Sequence, residues 1–346
     1  MNSQKILLIQ TSFIGDIILL STVIENLRTH LGDIHIDILI NQHSGSLYQG
    51  HPYVDKIWVW NKKENKHKNL LKLIQNIRKE KYDVVINFHR FFSTGLLTVS
   101  SGAKFKAGFS DNPFSFLYQA TVPFPFEKGV HEVDRNHSLL QVAFPELKEK
   151  RLSRRPVLYP SQEDLSLIQK YQANSYVCLC PSSVWFTKQF PKERWIELIS
   201  LLPKDIAVYL LGAPGDLILC EEIRLATHEG VFNLSGQLSL LQSAALMKGA
   251  VINYVNDSAP LHLASAMNAP VCAFFCSTVT DFGFYPLSEL YWIVEIEGSL
   301  YCRPCGKHGH RACPEGHFRC ALEIPINKAL QAYEEAKRVY IRSNSQ

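Results

Sequence analysis

The stretch "KILLIQTSFIGDIILL", residues 5–20, contains the pattern that decides the fold. Lys5 to Gln10 form a short apolar run, which is typical of a buried strand. After the loop Thr11–Gly15, an apolar segment from Asp16 to Leu31 predicts a helix. A strand, a loop and a helix in this order begin a βαβ unit, so the stretch predicts a parallel sheet.

The same alternation continues along the chain and is interrupted once. Further strands are predicted at 34–41, 56–60 and 82–88, with a helix over 66–81. Residues 145–160, "PELKEKRLSRRPVLYP", are charged and bounded by prolines, as expected of a linker. The pattern then restarts, with strands at 175–181, 206–212, 251–256 and 270–276 and helices at 192–202, 215–228, 239–250, 259–268 and 326–340. The sequence therefore predicts an α/β protein built from two successive domains.

Composition restricts the class of partner. The chain has 346 residues, with 36 basic and 32 acidic side chains and a net charge of +4. This excess is too small to indicate nucleic-acid binding, but it suits a small polyanionic substrate or an anionic membrane surface. The N-terminus does not resemble a signal peptide, and no run of 18 apolar residues occurs, so we expect a cytoplasmic protein with reduced thiols.

Ligands of open parallel sheets bind at the carboxyl ends of the strands, so the loops there are the candidate sites. The first loop has a single glycine and is not a G-x-G-x-x-G fingerprint, which argues against a nicotinamide enzyme. Asp16 follows it at the start of a helix. Its carboxylate could complement the helix N-terminus or act as a general base, and position alone leaves both interpretations open.

Three loops of the second half carry further candidates. Lys188 lies among aromatic residues, whose packing could hold its ammonium group in a fixed place against a phosphate. Ser182 is a candidate hydrogen-bond donor to the same phosphate. Asp216 opens a helix after two glycines, either as its N-cap or as an acceptor for ribose hydroxyls. The turn of Asp257, Ser258, Ala259 and Pro260 begins another helix, whose free amides would bind an anion, and His262 follows in the first helical turn.

Six pieces in this order resemble glycosyltransferase family 9, the bacterial heptosyltransferases: "GDIILLSTVIENLR", "HEVDRN", "TKQFPKERW", "LLGAPGD", "NDSAPLHLASAMNAPV" and "FFCSTVTDFGFYPLS". The resemblance spans about 5–324. It implies a glycosyltransferase-B fold, with two Rossmann-like domains facing a central cleft. Residues 1–155 would form the acceptor-binding domain and 156–325 the donor-binding domain, followed by a C-terminal helix over 326–346.

The resemblance also implies roles for individual residues. Asp16 matches the catalytic base, Lys188 matches the lysine that binds the donor phosphate, and Asp216 falls near the nucleoside. Asp257 and 258–260 match the donor-binding turn, although Ser258-Ala259 replaces the usual Thr-Gly, and His262 matches the histidine after that turn. Topology alone places His89 and Arg90, which follow a strand of the first domain, at the acceptor.

The implied donor is ADP-L-glycero-D-manno-heptose, and the implied acceptor is a lipid A–Kdo-type inner core of lipopolysaccharide. The chain contains no Asp-x-Asp, so we expect an inverting displacement that needs no cofactor, with the leaving diphosphate met by fixed donors. Three alternatives remain open: a protein acceptor, a nucleotide-sugar epimerase, and a non-catalytic nucleotide-sugar-binding protein of the same fold.

A lipid-anchored acceptor implies peripheral contact with the inner leaflet of the membrane. The aromatic stretches "RFFSTGLL" and "NPFSFLYQATVPFPF" are candidates for that contact. We expect their side chains instead to pack in the core or between the domains, since this is the usual place of clustered aromatic residues.

The segment "CRPCGKHGHRACPEGHFRC", residues 302–320, holds four of the nine cysteines. Its spacing is Cys302-x2-Cys305-x7-Cys313-x6-Cys320. Four thiolates can close a tetrahedral zinc or iron site, and such a closed site would be structural. Four reduced thiols in an irregular loop are the alternative interpretation.

Overall fold

The computed structural model describes residues 3–62, 65–124 and 128–344. The chain divides into two compact units, Met1–Tyr159 and Pro160–Gln346. The boundary between the two units falls within the charged segment 145–160. No helix in the described ranges is long and apolar enough to cross a membrane.

The first unit contains a six-stranded parallel sheet in the order β3-β2-β1-β4-β5-β6. Its strands are β1 (Gln4–Ile9), β2 (Ile34–Asn41), β3 (Lys56–Trp60), β4 (Val84–Asn87), β5 (Phe105–Phe109) and β6 (Ala120–Val122). Strand β1 is central because the apolar run 6–9 is completely buried. The strand order reverses between β1 and β4, and a ligand crevice is expected at their carboxyl ends.

In the described part of this unit, five α-helices accompany the sheet: α1 (Ile14–Leu19), α2 (Ser21–Leu31), α3 (Lys66–Lys79), α4 (Phe92–Ser100) and α5 (Glu132–Ala143). The single helix predicted from Asp16 to Leu31 is therefore interrupted at Leu20. Leu20 keeps helical dihedral angles, with φ −59° and ψ −26°. The hydroxyls of Ser21 and Thr22 donate to carbonyls three residues earlier, at 2.7 and 2.8 Å. Such hydroxyl bonds compete with the backbone ladder, which accounts for the interruption.

The second unit contains another six-stranded parallel sheet, in the order β12-β11-β10-β7-β8-β9. Its strands are β7 (Tyr176–Cys180), β8 (Ala207–Leu210), β9 (Val231–Asn233), β10 (Asn253–Asn256), β11 (Val271–Phe275) and β12 (Tyr291–Glu295). The order reverses here between β7 and β10. The two sheets confirm the predicted α/β class with two Rossmann-like halves.

Helices of the second unit are α6 (Gln162–Ile168), α7 (Lys192–Leu201), α8 (Leu217–Leu225), α9 (Leu240–Gly249), α10 (Ala259–Ala266), α11 (Arg319–Leu322) and α12 (Ile326–Asn344). Helix α12 packs into the core of this unit through apolar side chains that include Tyr333. The hydroxyl of Tyr254 in β10 donates to the carbonyl of Ala329 at 2.9 Å. The last two residues of the predicted segment 326–346 lie outside the described residues.

Candidate active site

Asp16 lies in the first turn of α1, directly after the loop that follows β1. Its Oδ2 accepts a hydrogen bond from the backbone N–H of Phe13 at 3.2 Å. A carboxylate at a helix N-terminus is stabilised in its ionised form, which is the form that accepts a proton. The side chain is half-buried, so it both caps the helix and remains within reach of a ligand.

A buried ion pair that the sequence did not single out lies near Asp16. Glu132 and Arg135, in the first turn of α5, are each 5% exposed and join at 3.0 Å. Burial, followed by the negative charge of Asp16, raises the pKa of Glu132 to about 7. The guanidinium of Arg135 favours the ionised carboxylate but is outweighed. Glu132 and Arg135 belong to the "HEVDRN" stretch, and they add a second carboxyl group and a cation to this site.

His89 lies after β4 and is fixed by its neighbours. Its backbone N–H donates to Oδ1 of Asn87 at 2.9 Å, and its Nδ1 lies 3.0 Å from Oγ1 of Thr11. The Nζ of Lys62 donates to both oxygens of Thr11, at 2.7 and 3.0 Å. Burial, together with the positive charges of Lys62 and Arg90, lowers the pKa of His89 to about 3. The imidazole is therefore neutral at physiological pH and can accept or donate one hydrogen bond.

Two guanidinium groups contact one aromatic ring in this region. Arg90 lies 3.8 Å from the ring centroid of Phe124, and Arg135 lies 5.1 Å from the same centroid. Such stacking restrains both cations by a cation–π attraction. Arg90 and Arg135 both act on the carboxyl group of Glu132, and Lys62, on Thr11, is a third cation of this unit.

In the second unit, Lys188 and Asp257 form an ion pair, with Nζ 2.7 Å from Oδ2. Lys188 ends a 3-10 turn after β7, and Asp257 follows β10 directly. The hydroxyl of Thr278, after β11, donates to the same Oδ2 at 2.6 Å. The structure thus brings together two residues predicted from separate loops. An ammonium has three N–H donors, so one bond to Asp257 leaves capacity for a phosphate.

Asn256, the last residue of β10, holds the loop before Lys188 in place. Its Nδ2 donates to the carbonyls of Pro181 and Ser182, at 2.9 and 3.3 Å, and its Oδ1 accepts the N–H of Phe190 at 2.8 Å. Asn256 is completely buried. The predicted donor-site residue Ser182 is therefore bonded through its backbone to the last residue of the strand that precedes Asp257.

The turn after β10 has the predicted form. Ser258 is the N-cap of α10, with an extended backbone, and Ala259 and Pro260 begin the helix. The first amides of a helix are free to bind an anion, and Pro260 removes only one of them. His262 lies in the first turn but is 4% exposed, and its ring is 6.1 Å from that of Phe284. A contact of His262 with the donor stays a prediction.

Asp216 caps its own turn. Its Oδ2 accepts the backbone N–H of Ala213 at 2.7 Å, closing the turn Pro214–Asp216 that precedes α8. Asp216 occupies the N-cap position of α8, but its side chain makes no capping hydrogen bond to that helix and closes the preceding turn instead. A contact with ribose hydroxyls stays a prediction.

The four cysteines of 302–320 are free thiols, three of them half-buried and Cys320 almost completely buried. Burial, followed by the neighbouring thiols, raises the pKa of Cys320 to about 11 and raises that of Cys305 as well. Sγ of Cys302 lies 3.9 Å from Nε2 of His317. Within the described ranges, no three His, Cys, Asp or Glu side chains are arranged to hold a metal ion. The zinc or iron site stays a prediction.

The aromatic stretches of the first unit are less buried than expected. Phe91, Phe92 and Phe116 are 66%, 60% and 79% exposed, and Leu117 is also exposed. The expectation that these side chains pack in the core is therefore wrong for them, because they stand at the start of α4 and in the 3-10 turn 115–117. Pro125 and Phe126 of the same stretch lie outside the described residues.

Two doubly wound parallel sheets, one in each unit, define the class of fold as that of the glycosyltransferase-B type. Residues 70–316 match the family model described as glycosyltransferase family 9 (heptosyltransferase). Since this match covers well over half of the chain, the protein belongs to glycosyltransferase family 9, as the sequence resemblance predicted.

Individual relatives agree with this assignment. The chain is similar to lipopolysaccharide heptosyltransferase 3 of Escherichia coli K12, with 26% identity over 76% of this chain and 80% of the relative. The fold is similar to that of a glycosyl transferase family 9 protein from Veillonella parvula, with a TM-score of 0.85, 20% identity, and coverage of 96% and 97% of the two chains. It is also similar to the E. coli heptosyltransferase WaaC solved with ADP, with a TM-score of 0.74, 18% identity, and coverage of 96% and 100%.

Proposed function

We propose that this enzyme transfers heptose from ADP-L-glycero-D-manno-heptose to a lipid A–Kdo-type inner-core lipopolysaccharide acceptor, with inversion at the anomeric carbon. The observation that carries the proposal is the Lys188–Asp257 pair at the end of β10, directly before α10, in a family 9 fold. Heptose is proposed as the sugar because the family is that of the heptosyltransferases, and lipopolysaccharide is proposed as the acceptor because the chain is similar to lipopolysaccharide heptosyltransferase 3 of E. coli.

The second unit is proposed to bind the donor diphosphate. The ammonium of Lys188 and the first amides of α10 would meet the phosphate oxygens. Asp257 holds the ammonium by one bond and so sets its direction. Because Thr278 donates to the same carboxylate oxygen, Asp257 is itself restrained. Binding of ADP in the fold neighbour WaaC agrees with this use of the fold.

The first unit is proposed to bind the acceptor and to supply the base. Its cations, on Lys62, Arg90 and Arg135, suit the carboxylates and phosphates of the lipopolysaccharide inner core. His89, predicted from topology to face the acceptor, is neutral and held by Thr11. Asp16, whose negative charge acts on Glu132 in this unit, is the proposed base.

The proposed reaction is a single displacement. The carboxylate of Asp16 accepts the proton of an acceptor hydroxyl while the hydroxyl oxygen forms a bond to the anomeric carbon. The bond from that carbon to the diphosphate oxygen breaks, and its electron pair leaves with ADP. Lys188 and the amides of α10 stabilise the charge that develops on the leaving group. The bond forms and breaks on opposite faces, so the anomeric configuration inverts.

The exposed aromatic side chains suggest how the enzyme reaches a lipid-anchored acceptor. Phe91 and Phe92 directly follow Arg90 in the chain, and Phe116 and Leu117 are exposed in the same unit. Aromatic and apolar side chains next to cations favour the interface of an anionic membrane. We propose a peripheral contact of this surface with the inner leaflet.

Mass spectrometry of the product tests the proposal. The purified full-length chain is incubated with ADP-heptose and a truncated lipopolysaccharide acceptor that ends at Kdo. We expect the acceptor to gain one heptose residue and an equal amount of ADP to be released, with ADP-mannose as a control donor of lower activity. Release of sugar without gain of mass by the acceptor would contradict the transferase assignment and support an epimerase or hydrolase.

A further inference from the structure

The cysteine-rich segment contacts the residue that precedes the phosphate-binding lysine. Thr187 is 1% exposed, and every polar group of it is bonded. Its N–H donates to the carbonyl of His310 at 3.1 Å, and its Oγ1 accepts the N–H of His310 at 2.7 Å. Its carbonyl accepts the N–H of Ser277 at 3.2 Å, and Oγ1 also accepts the hydroxyl of Ser277 at 3.0 Å. The conformation of Thr187 is thus fixed from two sides.

Gly309 packs directly against Lys188. It has a φ of +77°, and a Cβ added to it would lie 3.1 Å from Cγ of Lys188 and 2.8 Å from Oγ1 of Thr187. A contact of 2.8 Å is shorter than real Cβ atoms show, so a side chain at this position displaces one of these residues. The backbone of Gly309 therefore packs against the side chain of Lys188 and leaves no room for a side chain of its own.

The opposite end of the same segment holds the Asp257 side of the pair. Arg303, whose side chain is 9% exposed, donates to three carbonyls at and after the end of β11: Phe275 at 3.2 Å, Cys276 at 2.8 Å and Thr278 at 2.7 Å. Its guanidinium also pairs with Glu295 of β12. Because the hydroxyl of Thr278 donates a hydrogen bond to Asp257, Arg303 restrains that carboxylate indirectly, through Thr278.

These contacts link both ends of the segment 303–310 to the Lys188–Asp257 pair. His310 is bonded to Thr187, the neighbour of Lys188 in the chain. Arg303 is bonded to Thr278, whose hydroxyl donates to Asp257. We infer that residues 302–310, here called the strap, position the Lys188–Asp257 pair, with Thr187, Gly309 and Arg303 as positioning residues for the diphosphate site. The inference rests on the proposed function for the ligand, but the positioning of Lys188 is a property of the chain alone.

Two glycines of the cysteine-rich segment provide a matched test. Gly309 and Gly316 have similar positive φ values, +77° and +71°, so alanine strains the backbone equally at both. Only Gly309 has atoms near its absent Cβ, since nothing lies within 4 Å of that of Gly316. Calorimetric titration with ADP is expected to show binding about tenfold or more weaker for Gly309→Ala, because misplacement of a positioned group by about 1 Å has effects of this order. Gly316→Ala should bind ADP as the wild type does.

Thr187 supplies a second pair of variants. Thr187→Val keeps the shape but removes the acceptor for the His310 N–H, whereas Thr187→Ser keeps that acceptor. We expect weaker ADP binding and a raised KM for the donor in the valine variant, with a smaller change in kcat and recovery in the serine variant. A merely structural role would lower the melting temperature without this split between KM and kcat.

Chemical labelling of Lys188 separates this inference from the proposed function. Acetic anhydride modifies exposed amines, and peptide mass spectrometry measures the rate at each lysine. Without any ligand, Gly309→Ala should raise the labelling rate of Lys188 about tenfold, while Gly316→Ala leaves it unchanged. If the wild type fails to bind ADP but the labelling rates of the two variants differ in this way, the proposed function is wrong and the positioning of Lys188 by the strap is supported. Equal labelling of Lys188 in both folded variants and the wild type overturns the strap.

Discussion

Nζ of Lys188 lies 2.7 Å from Oδ2 of Asp257, and the two side chains are only 16% and 7% exposed. Removal of one partner from such a pair leaves a charge with little access to water, which is strongly destabilising. Neither partner can therefore be removed without a loss of stability in the second unit, in addition to any effect on binding of the proposed ligand.

Replacement of Lys188 should measurably lower the free energy of unfolding. We expect Lys188→Met to lower the free energy of unfolding by about 3 kcal/mol, because among the described residues the carboxylate of Asp257 then keeps only the hydroxyl of Thr278 as a partner. Adding Asp257→Asn should recover part of the loss, and urea denaturation measures both effects. The matched control is Lys192→Met, which breaks an exposed pair with Glu222 and should cost less than about 1 kcal/mol. Additive effects of the two substitutions at 188 and 257 would contradict the coupling.

Asp16 is expected to be essential for turnover but not for folding. Asp16→Asn retains an oxygen that can accept the Phe13 N–H, yet it cannot take up a proton. We expect kcat to fall by roughly 10²–10⁴-fold, since this is the usual contribution of a general base. Asp164 occupies the same N3 capping position in α6, so Asp164→Asn is the control and should keep full turnover. Near-normal turnover of Asp16→Asn would exclude it as the base.

Much of the fold follows from the sequence because buried parallel strands are apolar on both faces. Strands β1, β2, β7 and β11 have such runs and were predicted to within about two residues. Strands β5, β6, β9 and β12 were not predicted. Three of them, β6, β9 and β12, lie at sheet edges, where only one neighbour pairs with them, and β5 contains Gly108 and Lys106. The local sequence pattern predicts a strand poorly where the strand forms because of its pairing with the rest of the sheet.

The candidate site was predictable where topology alone determines it. Parallel strands end at one edge, so the loops with Asp16, Lys188 and Asp257 were found from the sequence. Glu132 and Arg135 were not, because they lie on α5, more than 100 residues from Asp16 in the chain. Only tertiary packing shows that these three charged groups interact. The ion pair between Lys188 and Asp257 was likewise beyond sequence reasoning, which predicted two separate contacts with the donor.

Glu132 should make stability depend on pH. Burial and the charge of Asp16 raise its pKa in the folded state from about 4.5 to about 7. A raised pKa contributes stability that is present below the unfolded value and is lost as pH rises through the folded value. We expect the wild type to lose up to about 3 kcal/mol relative to Glu132→Gln between pH 4.5 and 8, since each tenfold change in proton affinity is worth about 1.4 kcal/mol.

Urea denaturation of both proteins across this range isolates the contribution of Glu132 and of its interaction with Asp16, because groups that do not interact with Glu132 cancel in the difference. Glu149→Gln, at an exposed position in the same unit, is the control and should show a difference that does not vary with pH. A pH-independent difference for Glu132→Gln would show that Arg135 keeps this carboxyl group ionised throughout.

The cysteine-rich segment gives a prediction about metal content. We propose that Cys302, Cys305, Cys313 and Cys320 bind one structural zinc or iron ion, a thiolate set that both metals accept. Elemental analysis of the purified protein should then find about one metal ion per chain, and Cys302→Ser should lose it. Cys220→Ser, a buried cysteine in α8, is the control and should keep the metal. Absence of metal from the wild type would leave the segment as reduced thiols.

The exposed aromatic side chains of the first unit should determine membrane binding. Burial of one phenylalanine contributes about 1.5–3 kcal/mol, so partial insertion of two rings should change partitioning by about tenfold or more. We expect Phe92→Ser combined with Phe116→Ser to lose most binding to vesicles of phosphatidylglycerol and phosphatidylethanolamine in a co-sedimentation assay. Ile218→Ser combined with Leu225→Ser removes equally exposed apolar side chains from α8 and should leave binding unchanged. Equal loss in both pairs would indicate that apolar exposure in general, rather than this surface, drives the contact.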